Sequence, residues 1–136
     1  MTTSPADWIE IRELTARFNR AFDDGDGAGF ADTFTADGTL EFSGGGFSST
    51  GHEALTAFVA GSAYGNVHIT TDPIIEVDGD RARQRCTMLL AWRRKDRSRV
   101  VFQLTGRYDD ELERTASGWR FRRRVAELDK AVDPDA

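Results

Sequence analysis

Arg81-Ala82-Arg83-Gln84-Arg85-Cys86-Thr87-Met88-Leu89-Leu90-Ala91-Trp92-Arg93-Arg94 reads with a period of two. Ala82, Gln84, Cys86, Met88, Leu90 and Trp92 fall on one face, and Arg81, Arg83, Arg85 and Thr87 on the other. Successive side chains of a strand point to opposite sides, so the stretch predicts a long strand with one buried and one solvated face. Upstream, Asp78-Gly79-Asp80 is a strong hairpin signal, and Val67 to Val77 before it is rich in β-branched residues. Downstream, Lys95-Asp96-Arg97-Ser98 makes a turn into a strand from Val100 to Arg114. Thr115-Ala116-Ser117-Gly118 makes another into Trp119 to Leu128. The spacing predicts an antiparallel meander.

The chain ahead of this meander has helical periodicity. Trp8, Ile11, Leu14, Phe18 and Phe22 recur at steps of three or four, which predicts one apolar stripe on a helix. Ser4 or Asp7 caps its start, Pro5 suits its first turn, and Gly25 in Asp23-Asp24-Gly25-Asp26-Gly27 ends it. A short helix is expected from Ala28 to Thr35, then a strand over Thr39-Leu40-Glu41-Phe42. Ser43 to Thr50 reads as a glycine-rich flap at a pocket edge; no Gly-Lys-Ser/Thr follows it, which argues against a phosphate loop. A third helix is expected from Gly51 to Ala60, and a polar tail from Asp129 to Ala136.

Three helices followed by a meander define an α+β class: a cone-shaped barrel with the helices packed on a curved, mostly antiparallel sheet. The 136 residues suit one domain, 1–136, ordered over about 5–128. A curved sheet wrapped over a long helix is expected to leave a hollow, and nine Phe and three Trp supply apolar walls. A net charge of −5 argues against a nucleic-acid partner. One cysteine, Cys86, permits no internal disulfide, and the spacings of a metal site are absent. No apolar run nears the roughly 18 residues of a membrane span, and the N-terminus lacks signal-peptide features. A reducing cytoplasmic location is the expectation.

Two residues stand out chemically. Asp23 lies at the end of the first helix, where the macrodipole disfavours a carboxylate by about 0.3–1 kcal/mol. A solvated loop explains such an Asp; so does a carboxylate held at a pocket mouth, where burial and the helix end favour a raised pKa and service as a base. His68 begins the first long strand and shares a face with Thr70, opposite Val67 and Ile69. A lone strand His is ordinarily structural, but an Asp–His couple can take a proton and return it elsewhere. Arg123 shares by phase the inward face of Trp119 and Phe121, and Tyr108 offers an acid on the neighbouring strand. Phe18, Phe42, Met88 and Trp92 read as apolar pocket wall or as core, with Cys86 as packing and His52 as exposed.

Several phrases, in order, resemble the SnoaL-like branch of the nuclear transport factor 2-like superfamily. They include Ile11-Arg12-Glu13-Leu14 to Asp26, Phe34-Thr35-Ala36-Asp37-Gly38, Gly51-His52-Glu53-Ala54-Leu55 and Val67-His68-Ile69-Thr70-Thr71. Val77-Asp78-Gly79-Asp80-Arg81-Ala82 and Gly106-Arg107-Tyr108 to Gly118-Trp119-Arg120-Phe121 complete the set. The resemblance implies a homodimer and a hydrophobic small-molecule ligand. It also implies that Asp23 and His68 stand where the family's dehydratases and dehydrochlorinase carry an essential Asp and His. Those enzymes take a proton from carbon without metal or organic cofactor, so His68 would be the base and Asp23 its partner. The chain departs from them in carrying Phe18 where the dehydratases place a tyrosine, and Trp92 where scytalone dehydratase has a further His. The ketosteroid isomerase pattern fails at Phe18 and Phe42. A non-catalytic binding or dimerisation module, and an epoxide-hydrolase-like enzyme built on an Asp–Arg–Asp set, are the alternatives.

Overall fold

A computed structural model describes residues 3–62 and 64–129. Helix α1 runs Pro5–Asp24, its first turn capped by the Ser4 hydroxyl accepting from the Asp7 amide. Gly25 closes it in the left-handed conformation, φ +69°, and hands its amide back to the last turn. Its buried stripe holds Ile11, Leu14 and Phe18, as the periodicity predicts, but Phe22 is half-buried and Trp8 lies 40% exposed under the Arg12 guanidinium. A one-turn helix α2, Gly27–Ala31, follows, and α3 spans His52–Ala60.

The strands are β1 Phe34–Phe42, β2 Phe47–Thr50, β3 Asn66–Asp78, β4 Arg81–Arg93, β5 Val100–Thr115 and β6 Gly118–Leu128. They form one sheet in the order β2-β1-β6-β5-β4-β3. All neighbours are antiparallel except β1 and β6, which run parallel. The fold is thus α+β with helices on one face of a six-stranded, mostly antiparallel sheet. No helix among the described residues is long and apolar enough to cross a membrane.

Three elements differ from the sequence expectation, the first being β1, which opens at Phe34 rather than Thr39. The second helix stops at Ala31 rather than Thr35, because Thr33 turns its hydroxyl back onto the Phe30 carbonyl and Phe34 already pairs with Phe121. The expected flap is partly a strand: Phe47–Thr50 pairs with β1, with Phe42 opposite Phe47 and Thr39 opposite Thr50. The glycines serve the tight turn between them, where Gly44 and Gly45 have φ +87° and +78°. Residues 130–136 of the expected tail lie outside the described residues.

The predicted alternation of β4 holds, with Gln84, Cys86 and Met88 buried and Arg81, Arg83 and Arg85 exposed. The outward arginines pair with acids across the strands: Arg83 with Asp109 at 2.7 Å and Arg85 with Glu76 at 3.3 Å. The outer face is therefore a ladder of opposite charges rather than a basic stripe.

Phe18 centres the core. Its ring lies 4.8–6.1 Å from those of Phe22, Phe30, Phe34, Tyr108 and Phe121, drawn from α1, α2, β1, β5 and β6. Aromatic rings fill this part of the space between helix and sheet where the sequence argument expects a hollow. Grooves of about 1150 and 1070 Å³ open elsewhere, one on the outer sheet face and one beside α1 and α2, and neither is lined by Asp23 or His68.

The entry into β3 rests on Gly65. Its φ is +97°, its carbonyl accepts from the Arg93 amide at 2.8 Å, and an added Cβ would collide with the Arg93 carbonyl oxygen and the Trp92 indole nitrogen. Gly65→Ala is expected to cost about 1–3 kcal/mol, read as a lower Tm in thermal unfolding.

Candidate active site

Asp23 and His68 meet. Helix α1 delivers Asp23 in its last turn, and β3 delivers His68 on the face toward the helix, where it is 9% exposed. The Asp23 carboxylate accepts from the His68 main-chain amide at 3.0 and 3.1 Å, and its Oδ1 lies 2.7 Å from the His68 Nδ1. An ionised carboxylate only accepts, so this contact sets Nδ1 as the protonated nitrogen and leaves Nε2 as the free base. The Phe22 ring lies 4.2 Å from the imidazole and limits its rotation. The unfavourable helix end is thereby offset by two donors from one residue.

Asp23 is the last of three polar residues that α1 turns toward the sheet, one helical turn apart. Asn19, 8% exposed, donates from Nδ2 to the Thr70 hydroxyl at 3.1 Å. Thr15, 5% exposed, donates to the Ile11 carbonyl and accepts from Gln84 Nε2 at 3.0 Å. Gln84 also donates to Asp110 Oδ2 at 3.0 Å.

Asp110 and Arg124 are both fully buried and pair across β5 and β6, with Nε 3.1 Å from Oδ1. The approach is close, yet its angles make no hydrogen bond, so Arg124 Nε and Nη1 and Asp110 Oδ1 have no hydrogen-bond partner. The guanidinium carbon instead lies 3.5 Å from the centre of the Tyr108 ring and 4.3 Å from that of Phe18. Burial pushes the Asp110 carboxyl up to about 6 against the pull of Arg124 and Gln84. Burial likewise pushes the Tyr108 phenol up to about 12 and the Cys86 thiol up to about 11, so both stay protonated near neutral pH.

The profile of the SnoaL-like domain matches residues 6–125. The chain belongs to the SnoaL-like family. Among solved structures it is similar to Rv3472 of Mycobacterium tuberculosis, a protein of unknown function in its D26N form. That pair is 30% identical with a TM-score of 0.83, covering 98% of this chain and 83% of the other. A provisionally named aromatic ring hydroxylase from Novosphingobium aromaticivorans is 26% identical, TM-score 0.80, covering 93% and 92%. A provisionally named scytalone dehydratase from the same species shares the fold at 20% identity, TM-score 0.79, covering 94% and 87%. No significant match exists among proteins of curated function.

Within this SnoaL-like domain the other anticipated residues divide. Met88 and Tyr108 are buried on the inner face, at 2% and 4% exposure. Phe42 stands half-buried in a ring cluster, 5.0 Å from Phe47 and 6.4 Å from Phe58. Trp92 is half-buried and donates its indole N–H to the Tyr64 carbonyl at 3.0 Å. Arg123 does not point inward: it lies exposed on the outer face and bonds Glu41 at 2.9 Å through two nitrogens. The cause is a bulge. Glu111 pairs with Arg123 and Leu112 with Phe121, so Arg122 is an extra residue and the phase of β6 inverts there. Arg124 takes the interior position instead.

The sequence reading misses Arg124, Asp110 and Asn19 and gives Gln84 only a place on the buried face of β4, although signals for some of the missed residues exist. Thr15, Asn19 and Asp23 interrupt the apolar stripe at helical spacing, and Asp110 shares the phase of Tyr108 and Leu112. Only Arg124 lacks any such local mark.

Breaking a buried pair leaves an uncompensated charge, at a cost of about 3–5 kcal/mol. In Arg124→Met the remaining Asp110 can escape that cost by holding a proton. A folded-state pKa above the unfolded value gives stability that is present at low pH and lost as pH rises through the folded pKa. The Tm deficit of Arg124→Met against the parent protein is thus expected to be small near pH 5 and large near pH 8. An equal deficit at both would contradict the assigned burial of Asp110.

Proposed function

We propose that this SnoaL-like protein is a cofactor-independent enzyme that removes a proton from carbon in a hydrophobic cyclic, polyketide-like molecule. The product would form by elimination, isomerisation or cyclisation. The observation that carries the reading is the double grip of Asp23 on His68, through both the main-chain amide and Nδ1.

With Nδ1 held as a donor, His68 Nε2 takes the proton from the substrate C–H, and Asp23 stabilises the resulting imidazolium. In an elimination the C–H electrons form the new double bond, and the leaving group departs with its pair and accepts the proton back from Nε2. In an isomerisation the same proton returns to a different carbon. Negative charge that develops on a substrate oxygen would be met by the un-ionised Tyr108 hydroxyl, the acid anticipated on β5. Phe42, Met88 and Trp92 would face the apolar body of the ligand. A second reading, a non-catalytic small-molecule binding module, is favoured by Phe18, which offers no hydroxyl beside Asp23 and fills the core.

The two readings separate by solvent deuterium incorporation next to the carbonyl of bicyclic ketones such as 2-tetralone. The parent protein is expected to accelerate exchange, and His68→Ala or Asp23→Asn to lower that rate by about 100-fold or more with an unchanged far-ultraviolet spectrum. Parent-like exchange in both variants removes the assignment; no exchange by the parent leaves the binding reading.

A homodimer through the outer sheet face belongs to the same proposal. Ile69, Val100 and Phe102 stand there at 51%, 64% and 60% exposure, beside the charge ladder. Single large apolar residues on a surface are ordinary, but a cluster on one sheet face supports association. Phe102→Lys with Ile69→Lys is expected to shift a dimer to monomer in sedimentation velocity.

A further inference from the structure

Asn19 carries a buried polar atom for which the fold has no use. Its side chain is more than nine-tenths buried, Nδ2 is engaged by Thr70, and Oδ1 has no hydrogen-bond partner among the described residues. An amide oxygen enclosed without a donor is a standing cost that a leucine at the same point of the apolar stripe would avoid. The neighbouring polar residue on the helix shows the contrast: the Thr15 hydroxyl both donates and accepts.

Its location supplies the use. Asn19 sits one helical turn before Asp23, and Thr70 sits two residues beyond His68 on the same face of β3. The two cross-links, Asn19–Thr70 and Asp23–His68, are therefore adjacent rungs between one helix and one strand. One turn of helix advances about 5.4 Å, close to the span of a six-membered ring with its substituent. Turning the amide over would offer a donor rather than an acceptor, but the Thr70 hydroxyl can serve either orientation, so Asn19 always keeps one amide group for a ligand.

We propose that Asn19 is a specificity-determining residue that accepts a hydrogen bond from a ring hydroxyl of the ligand, so that the site selects hydroxylated cyclic compounds over their ethers. The selection rests on the reading of Asp23 and His68 as the ligand-facing pair, and it needs no turnover to be measured. Thr70 fixes the amide, and Asp23 and His68 address the part of the ring one rung away.

The test compares binding of 2-naphthol and 2-methoxynaphthalene, which differ in the donor, by chemical-shift titration of the folded protein. The parent is expected to bind 2-naphthol about 5–10-fold more tightly, the worth of one hydrogen bond. Asn19→Leu, similar in size and apolar, should abolish the preference while leaving 2-methoxynaphthalene affinity as it was. Asn19→Gln, which keeps the amide, should retain part of it. Equal affinity of the parent for the two probes, binding of neither, or an unchanged preference in Asn19→Leu overturns the proposal. Deuterium exchange by the same proteins reads the catalytic assignment separately: a naphthol preference lost in Asn19→Leu without any exchange by the parent sinks catalysis and keeps recognition. Exchange by the parent with no probe preference does the reverse.

Discussion

A single carboxylate ties the end of the long helix to the start of the long strands. Asp23 stands where the helix dipole opposes it, and it is held there because His68 offers both a main-chain and a ring donor. The bond to the main chain seats β3 against α1, and the bond to the ring fixes the tautomer. Backbone placement and chemical poise thus come from the same two oxygens. Everything proposed for the protein's activity depends on that coincidence.

The interior around this link is unusually mixed. Aromatic rings from five elements converge on Phe18, yet a line of polar groups runs beside them from Asp23–His68 through Asn19–Thr70 to Thr15–Gln84–Asp110–Arg124. A purely structural core gains little from such groups, since a buried ion pair is often no better than apolar residues of equal volume. Arg124 lies over the Tyr108 ring, and its poorly aligned approach to Asp110 leaves donors unspent. The rungs that are fully satisfied fasten helix to sheet, whereas Asn19 Oδ1 and part of the Arg124 guanidinium have no hydrogen-bond partner among the described residues.

Much of the architecture was legible because its signals are local. The Ser4 cap, the Gly25 terminator and the strict alternation from Arg81 to Met88 each depend on residues close together in the chain. The pairing of Asp23 with His68 was open to inference from family likeness, but only the fold brings their atoms within 2.7 Å. The expected flap became a strand because Phe47–Thr50 found a partner in β1, and the second helix was cut short because Phe34 found one in β6. In the first place the other arm of a hairpin, and in the second a strand distant in the chain, overrode the local preference.

Arg123 and Arg124 show the boundary most clearly. Counting by twos from Trp119 assigns Arg123 to the interior, and nothing in Trp119-Arg120-Phe121-Arg122-Arg123-Arg124 marks the extra residue that reverses the count. The bulge lies where β6 pairs with β5 on one side and, in parallel, with β1 on the other, and both registers shift beside it. The chain by itself determined the helices, the strand alternation and the residue types available for proton transfer, since these follow from backbone periodicity and side-chain chemistry. Which arginine is buried, and which amide is left without a partner, only the tertiary structure decided, because strand register and enclosure are properties of several elements packed at once.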